Sequence, residues 1–453
     1  MRASVRPSAY IVQSDEALIN GPGGRVRVVL QSATSQVYLL AEKTLDTLLN
    51  RPSDLPDAEF AEMIEAGLLV AAERDEFAET VAENKAEIQR NSVRSFVLMP
   101  AAYCNMGCGY CGQQHVRLPT SASHRAAVVN RLLMAVRSER TSGLYVSWFG
   151  AEPMMGYSQI LDIATQVIPA CESAGKTFTS HMVTNGALLT MSKLRRLYHD
   201  ARVKSFEITL DGPPERHNEQ RPLKSGQGSY DRITGLIAEA CRQDDLADLR
   251  ISIRTNISRA NQNDYEAFAA AASAAGIVHP RVRFYPALVR EWGNDVSEFA
   301  VARPDIVEIE RNWLDAYAKY GMRGADELPI GRTRTVCVTV NPQSEVIAPA
   351  GEVYTCTEMP LVPSRAGMDV GHVADLQTPA ARPVGPLDDW NDRLVEGKTN
   401  AYCPTCSIFP ICGGYCPLVW SEGSPACPPL KATMPMRLTR YGQSLGLEVA
   451  PSH

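Results

Sequence analysis

From Val93 onward the chain alternates short apolar runs with longer amphipathic stretches. Val93 to Met99, Leu144 to Phe149, Phe178 to Val183, Ser205 to Leu210, Leu249 to Ile253 and Val282 to Tyr285 have the length and composition of strands. Between them, His124 to Arg137, Gln159 to Ala174, Ser192 to His199, Tyr230 to Arg242 and Tyr265 to Ala275 carry apolar residues at helical spacing. Six strands joined by five helices predict an α/β fold in which a parallel sheet curls into a partial (β/α)6 barrel. Ligands of such folds gather at the C-terminal ends of strands, so the loops that follow strands are where chemistry is expected.

The pattern differs on both sides of this segment. Residues 1–92 read as a small α+β module, with strands at Ala9 to Gln13, Arg25 to Leu30 and Gln36 to Leu40. Helices follow at Glu42 to Asn50, with Leu45, Leu48 and Leu49 on one face, and at Asp57 to Gly67, with Phe60, Met63 and Ile64 together. Gly67 closes the second helix before the strand Leu68 to Val70, and the acidic stretch Glu73 to Arg90 reads as a helical linker. Residues 93–329 hold the barrel. Residues 330–430 lose periodicity and gain Cys, Pro and Gly, as expected where metal ligation replaces an apolar core, and 431–453 form a tail.

Composition excludes some function classes. A net charge of −6 over 453 residues argues against a general nucleic-acid binder, which needs a basic face. No apolar run approaches the roughly 20 residues of a membrane span, and Met1 to Pro7 lacks an apolar signal core, so a cytoplasmic protein without a membrane partner is expected. In that reducing compartment twelve cysteines do not form a disulfide framework, and ten of them fall in two groups, which points to metal chemistry.

The first group is Cys104-Asn105-Met106-Gly107-Cys108-Gly109-Tyr110-Cys111, directly after the first strand. A four-iron cluster takes four protein thiolates in ordinary ferredoxins, so three leave one iron open. Zinc, a redox Cys-x-x-Cys and a purely structural cluster are the alternatives; structural zinc prefers a closed four-ligand shell. The Cys-x3-Cys-x2-Cys spacing resembles the signature of radical S-adenosylmethionine (SAM) enzymes. The resemblance implies an open iron that chelates SAM and, on one-electron reduction, a 5′-deoxyadenosyl radical that abstracts hydrogen.

Other strand-end loops extend the likeness. Gly150-Ala151-Glu152-Pro153 resembles the family's GGEP element, which holds the methionyl amino group, with Ala151 where glycine is usual. Tyr110 matches the aromatic beside adenine; Asn185, Thr209 and Arg254 match positions that contact ribose or carboxylate. Leu210-Asp211-Gly212-Pro213-Pro214-Glu215-Arg216-His217-Asn218, continuing through Arg221-Pro222 to Gly226-Gln227-Gly228-Ser229-Tyr230-Asp231, is similar to the sulfatase- and peptide-maturase branch. Asp211 orients ribose or substrate on this reading; Asp-Gly-Pro is equally a tight turn.

Cys337, Cys356, Cys403, Cys406, Cys412, Cys416 and Cys427 match all seven positions of the SPASM extension, which implies two auxiliary four-iron clusters and three [4Fe–4S] clusters in all. By analogy, Cys403, Cys406, Cys412 and Cys427 close one. Cys337, Cys356 and Cys416 serve the other, one ligand short. Cys171 and Cys241 stand outside both groups and read as small buried residues.

The resemblance implies an enzyme that modifies a precursor peptide or protein, fed by an external one-electron donor of flavodoxin or ferredoxin type. The N-terminal module is similar to winged-helix domains that recognise leader peptides, or is a cap on the barrel. Formylglycine formation is the alternative reaction, yet Thr357 stands where those maturases carry an aspartate base, with Glu358 next as a substitute. A small-molecule radical dehydrogenase and a non-catalytic iron–sulfur electron carrier remain the other readings.

Overall fold

The apolar runs of the central segment pair side by side. The structure, a computed structural model, describes residues 4–19, 24–118, 121–324, 328, 330–376, 378–379, 381–398 and 402–451. The chain divides into two compact units: Met1–Arg90 with Asp326–Val340 and Leu387–His453, and Asn91–Ala325 with Asn341–Pro386.

In the second unit Val93–Leu98, Gly143–Trp148, Thr177–Thr184, Val203–Thr209, Arg250–Ile257 and Val282–Leu288 form parallel neighbours in sequence order. Because all six run the same way, the loops after them emerge along one edge. Residues such as Val146, Phe206, Ile208, Ile253 and Phe284 are buried, as expected of strands covered by crossover helices. Two of the crossover helices begin where a side chain takes an orphan amide: Ser121 accepts from His124 N at 3.1 Å, and Thr190 from Lys193 N at 3.3 Å. The sheet stays open, as a partial barrel requires, and gains edge strands. Arg323–Gly324 adds to the sixth strand, Ser344–Ile347 lies parallel to the first, and Val353–Tyr354 returns antiparallel beside it.

The Ser344–Ile347 edge is fixed by a buried ion cluster. Glu345 is fully buried and takes both Arg131 Nε, at 2.9 Å, and Arg131 Nη2, at 2.6 Å, with Arg94 on the same carboxylate. The fork-on-fork geometry joins this strand to the helix Ala122–Arg137.

In the first unit Arg25–Gln31 is central, flanked on one side by Gln36–Ala41 and on the other by Ile11–Gln13 and Leu18–Ile19. Val5–Pro7, missed by the sequence pattern because Arg6 and Pro7 leave it no apolar run, pairs with Leu69–Ala71. Helices Glu42–Asn50 and Asp57–Glu65 stand where periodicity predicts them, and Leu45, Leu48 and Met63 pack with Val29, Leu55, Leu68 and Leu69. The acidic stretch expected as a linker is the helix Glu76–Arg90 with one face buried. Its Glu76 carboxylate is satisfied by Ser8 Oγ at 2.5 Å, Ala9 N at 2.9 Å and Arg6 Nη1 at 2.7 Å.

The cysteine-rich segment has little regular structure and shares cores with the module before it. Tyr10 and Val81 pack with Val340, Trp390, Leu394, Cys403 and Phe409. Leu18, Val28 and Leu30 pack with Ile408, Ile411, Met434 and Leu438. The last two belong to the helix Leu430–Ser444, which Pro435 hides from a periodicity reading. Among the described residues no helix is long and apolar enough to cross a membrane.

Candidate active site

The first strand ends at Leu98, and the chain then turns through the three-cysteine loop. Two main-chain contacts fasten that loop to a neighbour: Gly107 N donates to Pro222 O at 3.0 Å and Lys224 N to Asn105 O at 2.9 Å. Met106 is fully buried against Leu223 and Ala187, so an apolar anchor sits between the first two cysteines. The glycines around the third cysteine are required by packing. A Cβ on Gly109 would meet Phe299 Cζ at 2.8 Å, and one on Gly112 would meet Asn294 Oδ1 at 2.8 Å.

Cys104, Cys108 and Cys111 line one cavity of about 270 Å³ at the strand ends, near the lower end of ordinary small-molecule sites. Gly150, Ala151, Glu152, Asn185, Thr209, Arg254 and Tyr110 line it too, as does Glu358. Pro153 is buried and opens the turn Pro153–Gly156 behind Glu152. Asp211 is elsewhere: it is fully buried behind Tyr110 and does not line the cavity.

Gly150 has φ +113°, and a Cβ there would meet Met99 Cβ at 3.1 Å. Ala151 is not among the positive-φ residues, so the departure from GGEP falls where alanine fits without strain. Glu152 is buried, and three donors fix it: Met154 N at 2.9 Å and Thr184 Oγ1 at 2.7 Å on one oxygen, Asn185 N at 2.8 Å on the other. Burial raises the proton affinity of this carboxyl, opposed by those hydrogen bonds. Asn185 also reaches the cysteine loop, with Nδ2 2.8 Å from Asn105 Oδ1 and 3.6 Å from Cys104 Sγ.

Tyr110 is held by a network the sequence reading misses. Its hydroxyl donates to Asp211, and the same oxygen accepts from Arg221 and from Asn256 Nδ2 at 3.1 Å. Asn256 N donates to Asp211 Oδ1 at 2.8 Å, and Asn261 Nδ2 to the Asp211 carbonyl at 2.9 Å. The aspartate thus positions the aromatic ring. Burial raises the Tyr110 hydroxyl well above its ordinary range, so it stays protonated and serves as a donor.

The far wall carries charge of both signs. Arg254 Nε donates to Asn256 Oδ1 at 2.8 Å and its Nη1 lies 3.9 Å from Glu207 Oε1; Tyr285 donates to Glu207 Oε2 at 2.6 Å. Glu358 accepts from Thr357 Oγ1 at 3.3 Å, and burial pushes its carboxyl above the ordinary range against the pull of Arg254. Glu207, Asn256 and Trp292 line the cavity without a sequence signal of their own, whereas Arg221 lies in the stretch that follows Asp211 in the sequence motif. Asn256 does not stand out in its strand, Arg250–Ile257, where Arg250, Ser252, Arg254 and Thr255 are polar as well.

The cysteine thiols fit a metal cluster. Burial pushes Cys104 up to about 11 and raises Cys111, so without a Lewis acid these thiols hold their protons. Three sulfurs on one cavity wall, facing a carboxylate, an amide and a guanidinium, suit a cluster with an open iron and a zwitterionic ligand. In the first unit, Cys403, Cys406, Cys412 and Cys427 line a second, small cavity beside Phe409 and Trp420. Burial pushes Cys403 and Cys412 up to about 12. Among the described residues no three His, Cys, Asp or Glu side chains gather tightly enough for a single metal ion. Cys171 and Cys241 are buried in helices, as their isolation in the sequence predicts.

Residues 98–272 match the family model of the radical SAM superfamily. No curated protein matches. Among solved structures, native anSMEcpe with bound AdoMet (SAM) is similar at 14% identity and TM-score 0.54, covering 78% of this chain and 98% of that one. Streptococcus suis SuiB bound to precursor peptide SuiA aligns at 14% identity and TM-score 0.47, over 93% and 98%. The matched segment contains the cysteine loop, the Glu152 loop and the strands that bring them together, so residues 98–272 carry a radical SAM domain.

Proposed function

We propose that the enzyme is a peptide maturase, which takes a hydrogen atom from a ribosomal peptide and so installs a cross-link such as a thioether, C–C or C–O bond. The observation that carries this reading is the meeting of Cys104, Cys108 and Cys111 with Glu152, Asn185 and Arg254 on one cavity at the strand ends. When bound, the cluster and SAM supply a 5′-deoxyadenosyl radical after one-electron reduction. Glu152, with three of its acceptor directions used, keeps one for an ammonium group. Tyr110, anchored through its hydroxyl, offers a fixed ring face to an adenine. Glu358 has the raised proton affinity that suits a base for the proton released as the substrate is oxidised.

Native anSMEcpe is known with a bound Cp18Cys peptide, and the shared fold supports a substrate of that size. Thr357 in place of an aspartate weighs against formylglycine formation, which is the second reading because Glu358 reaches the same cavity. The seven SPASM-like cysteines support two auxiliary clusters, with Cys403, Cys406, Cys412 and Cys427 gathered on one cavity. A flavodoxin or ferredoxin supplies electrons on this reading, and the N-terminal module binds a leader.

Anaerobic incubation of reconstituted protein with SAM and dithionite should yield 5′-deoxyadenosine; none, from protein with intact clusters, rejects the radical reading. Coexpression with a candidate precursor peptide should give a product lighter by two hydrogens. An aldehyde at a cysteine instead identifies a formylglycine-forming enzyme.

A further inference from the structure

Tyr103 directly precedes Cys104 and lies on the surface of the barrel unit between two cations. The Arg117 guanidinium is 4.6 Å from its ring centroid and the Lys224 ammonium 4.3 Å. Arg117 Nη2 also donates to the hydroxyl at 3.5 Å. Both cations are exposed, and neither has a carboxylate partner among the described residues.

Their backbones are tied to the two residues that bracket Tyr103 and Cys104. Val116 N, next to Arg117, donates to Ala102 O at 3.0 Å, and Lys224 N donates to Asn105 O at 2.9 Å. Main-chain bonds therefore carry the two cations beside the cysteine loop, and a side-chain substitution leaves those bonds in place. Exposed Val116 and Leu118 stand beside it, and Tyr103, Arg117, Leu118 and Met155 border an open depression of about 670 Å³. Arg125 on its rim faces Asp162 at 3.7 Å. This depression shares no lining residue with the cavity that holds the three cysteines.

A cluster used reductively needs an electron from outside in each cycle. Proteins that exchange electrons meet briefly over small, charge-steered surfaces. We propose that the face formed by Tyr103, Arg117 and Lys224 docks an acidic one-electron carrier protein, which delivers its electron through the Tyr103–Cys104 segment. The inference rests on the radical SAM reading of the cysteine loop. In the step the carrier loses one electron and the cluster gains one, with no bond made or broken. Docking there leaves the other cavity free for SAM and substrate.

The test compares two reductants on the cluster-loaded full chain. An acidic flavodoxin should support 5′-deoxyadenosine formation at a rate that falls steeply as ionic strength rises, as steered encounters do. In Arg117→Glu/Lys224→Glu the flavodoxin-driven rate should drop roughly tenfold or more at low salt, the size of a lost steering field, while the dithionite-driven rate stays at that of the parent. Flavodoxin binding, followed by calorimetry with the oxidised carrier and no turnover, should weaken by a similar factor. Lys224→Arg should behave as the parent in all three measurements. Equal flavodoxin rates in parent and double variant overturn the proposal, and so does an equal loss with both reductants, which assigns the pair to loop stability alone. No product from the parent with dithionite rejects the radical chemistry itself, a different result from either.

Discussion

Gly150 and Ala151 are neighbours with opposite tolerances. Gly150 sits at φ +113° with Met99 3.1 Å from the missing Cβ, so Gly150→Ala should cost about 1–3 kcal/mol from backbone strain and lower iron bound by the adjoining loop. Ala151→Gly should leave both thermal stability and iron content nearly unchanged; equal damage from the two would contradict this account. His217 makes a pH prediction. It is fully buried, accepts from Asp211 N at 3.2 Å, lies 2.9 Å from Ser229 Oγ, and is pushed down to about 3 by burial and by Arg221. An unfolded histidine takes a proton near pH 6.5 and the folded one does not, so stability is full above that pH and declines as pH falls toward 3. The loss between pH 7 and 5 should be about 2 kcal/mol, and urea melts of His217→Gln should show a correspondingly flatter pH dependence. The cysteines, Glu152 and Asn185 are legible in the sequence because each lies in a short motif at a strand end. Glu207 and Asn256 are not, and Arg221, though part of a motif, does not reveal its bond to Tyr110, since these groups meet only when separate strands and the 221–224 segment come together.

Elements show where pattern reading stops. All six barrel strands carry apolar runs, but Ser344–Ile347 adds a parallel edge with Glu345 inside it, a residue no hydropathy scheme would bury. Arg94 and Arg131 make that burial possible, and Glu345→Ala should cost about 3–5 kcal/mol because two guanidiniums lose their anion. Chemical denaturation would measure it; a loss below 1 kcal/mol would show the cluster to be solvated. Leu430–Ser444 lies against the N-terminal sheet through Gly442, where a Cβ would fall 2.2 Å from Leu18 Cδ1. Gly442→Val should therefore destabilise by about 1–3 kcal/mol through overpacking, seen as a lower melting temperature, whereas Gly446→Ala, with nothing within 4 Å of the added Cβ, should lose less despite its positive φ. Apolar periodicity conveys neither a glycine contact nor an ion cluster, because both depend on the partner element.

At the scale of the whole molecule, the cysteines fall into sets that should load separately. On the proposal of three four-iron clusters, reconstituted protein should hold roughly 12 irons per chain, and replacing Cys104, Cys108 and Cys111 together by alanine should leave roughly 8. Iron analysis with Mössbauer spectroscopy would decide, and a loss of all iron in that variant would contradict separate sites. The shared cores of the first unit bear on how the chain is made. Leu18, Val28 and Leu30 find Ile408, Ile411, Met434 and Leu438 only after about 400 intervening residues have been synthesised. At 5–20 residues per second the ribosome needs roughly 20–80 s for that stretch. During that interval the newborn N-terminus exposes an unpartnered apolar face, and this end of the chain is where a chaperone has most reason to bind.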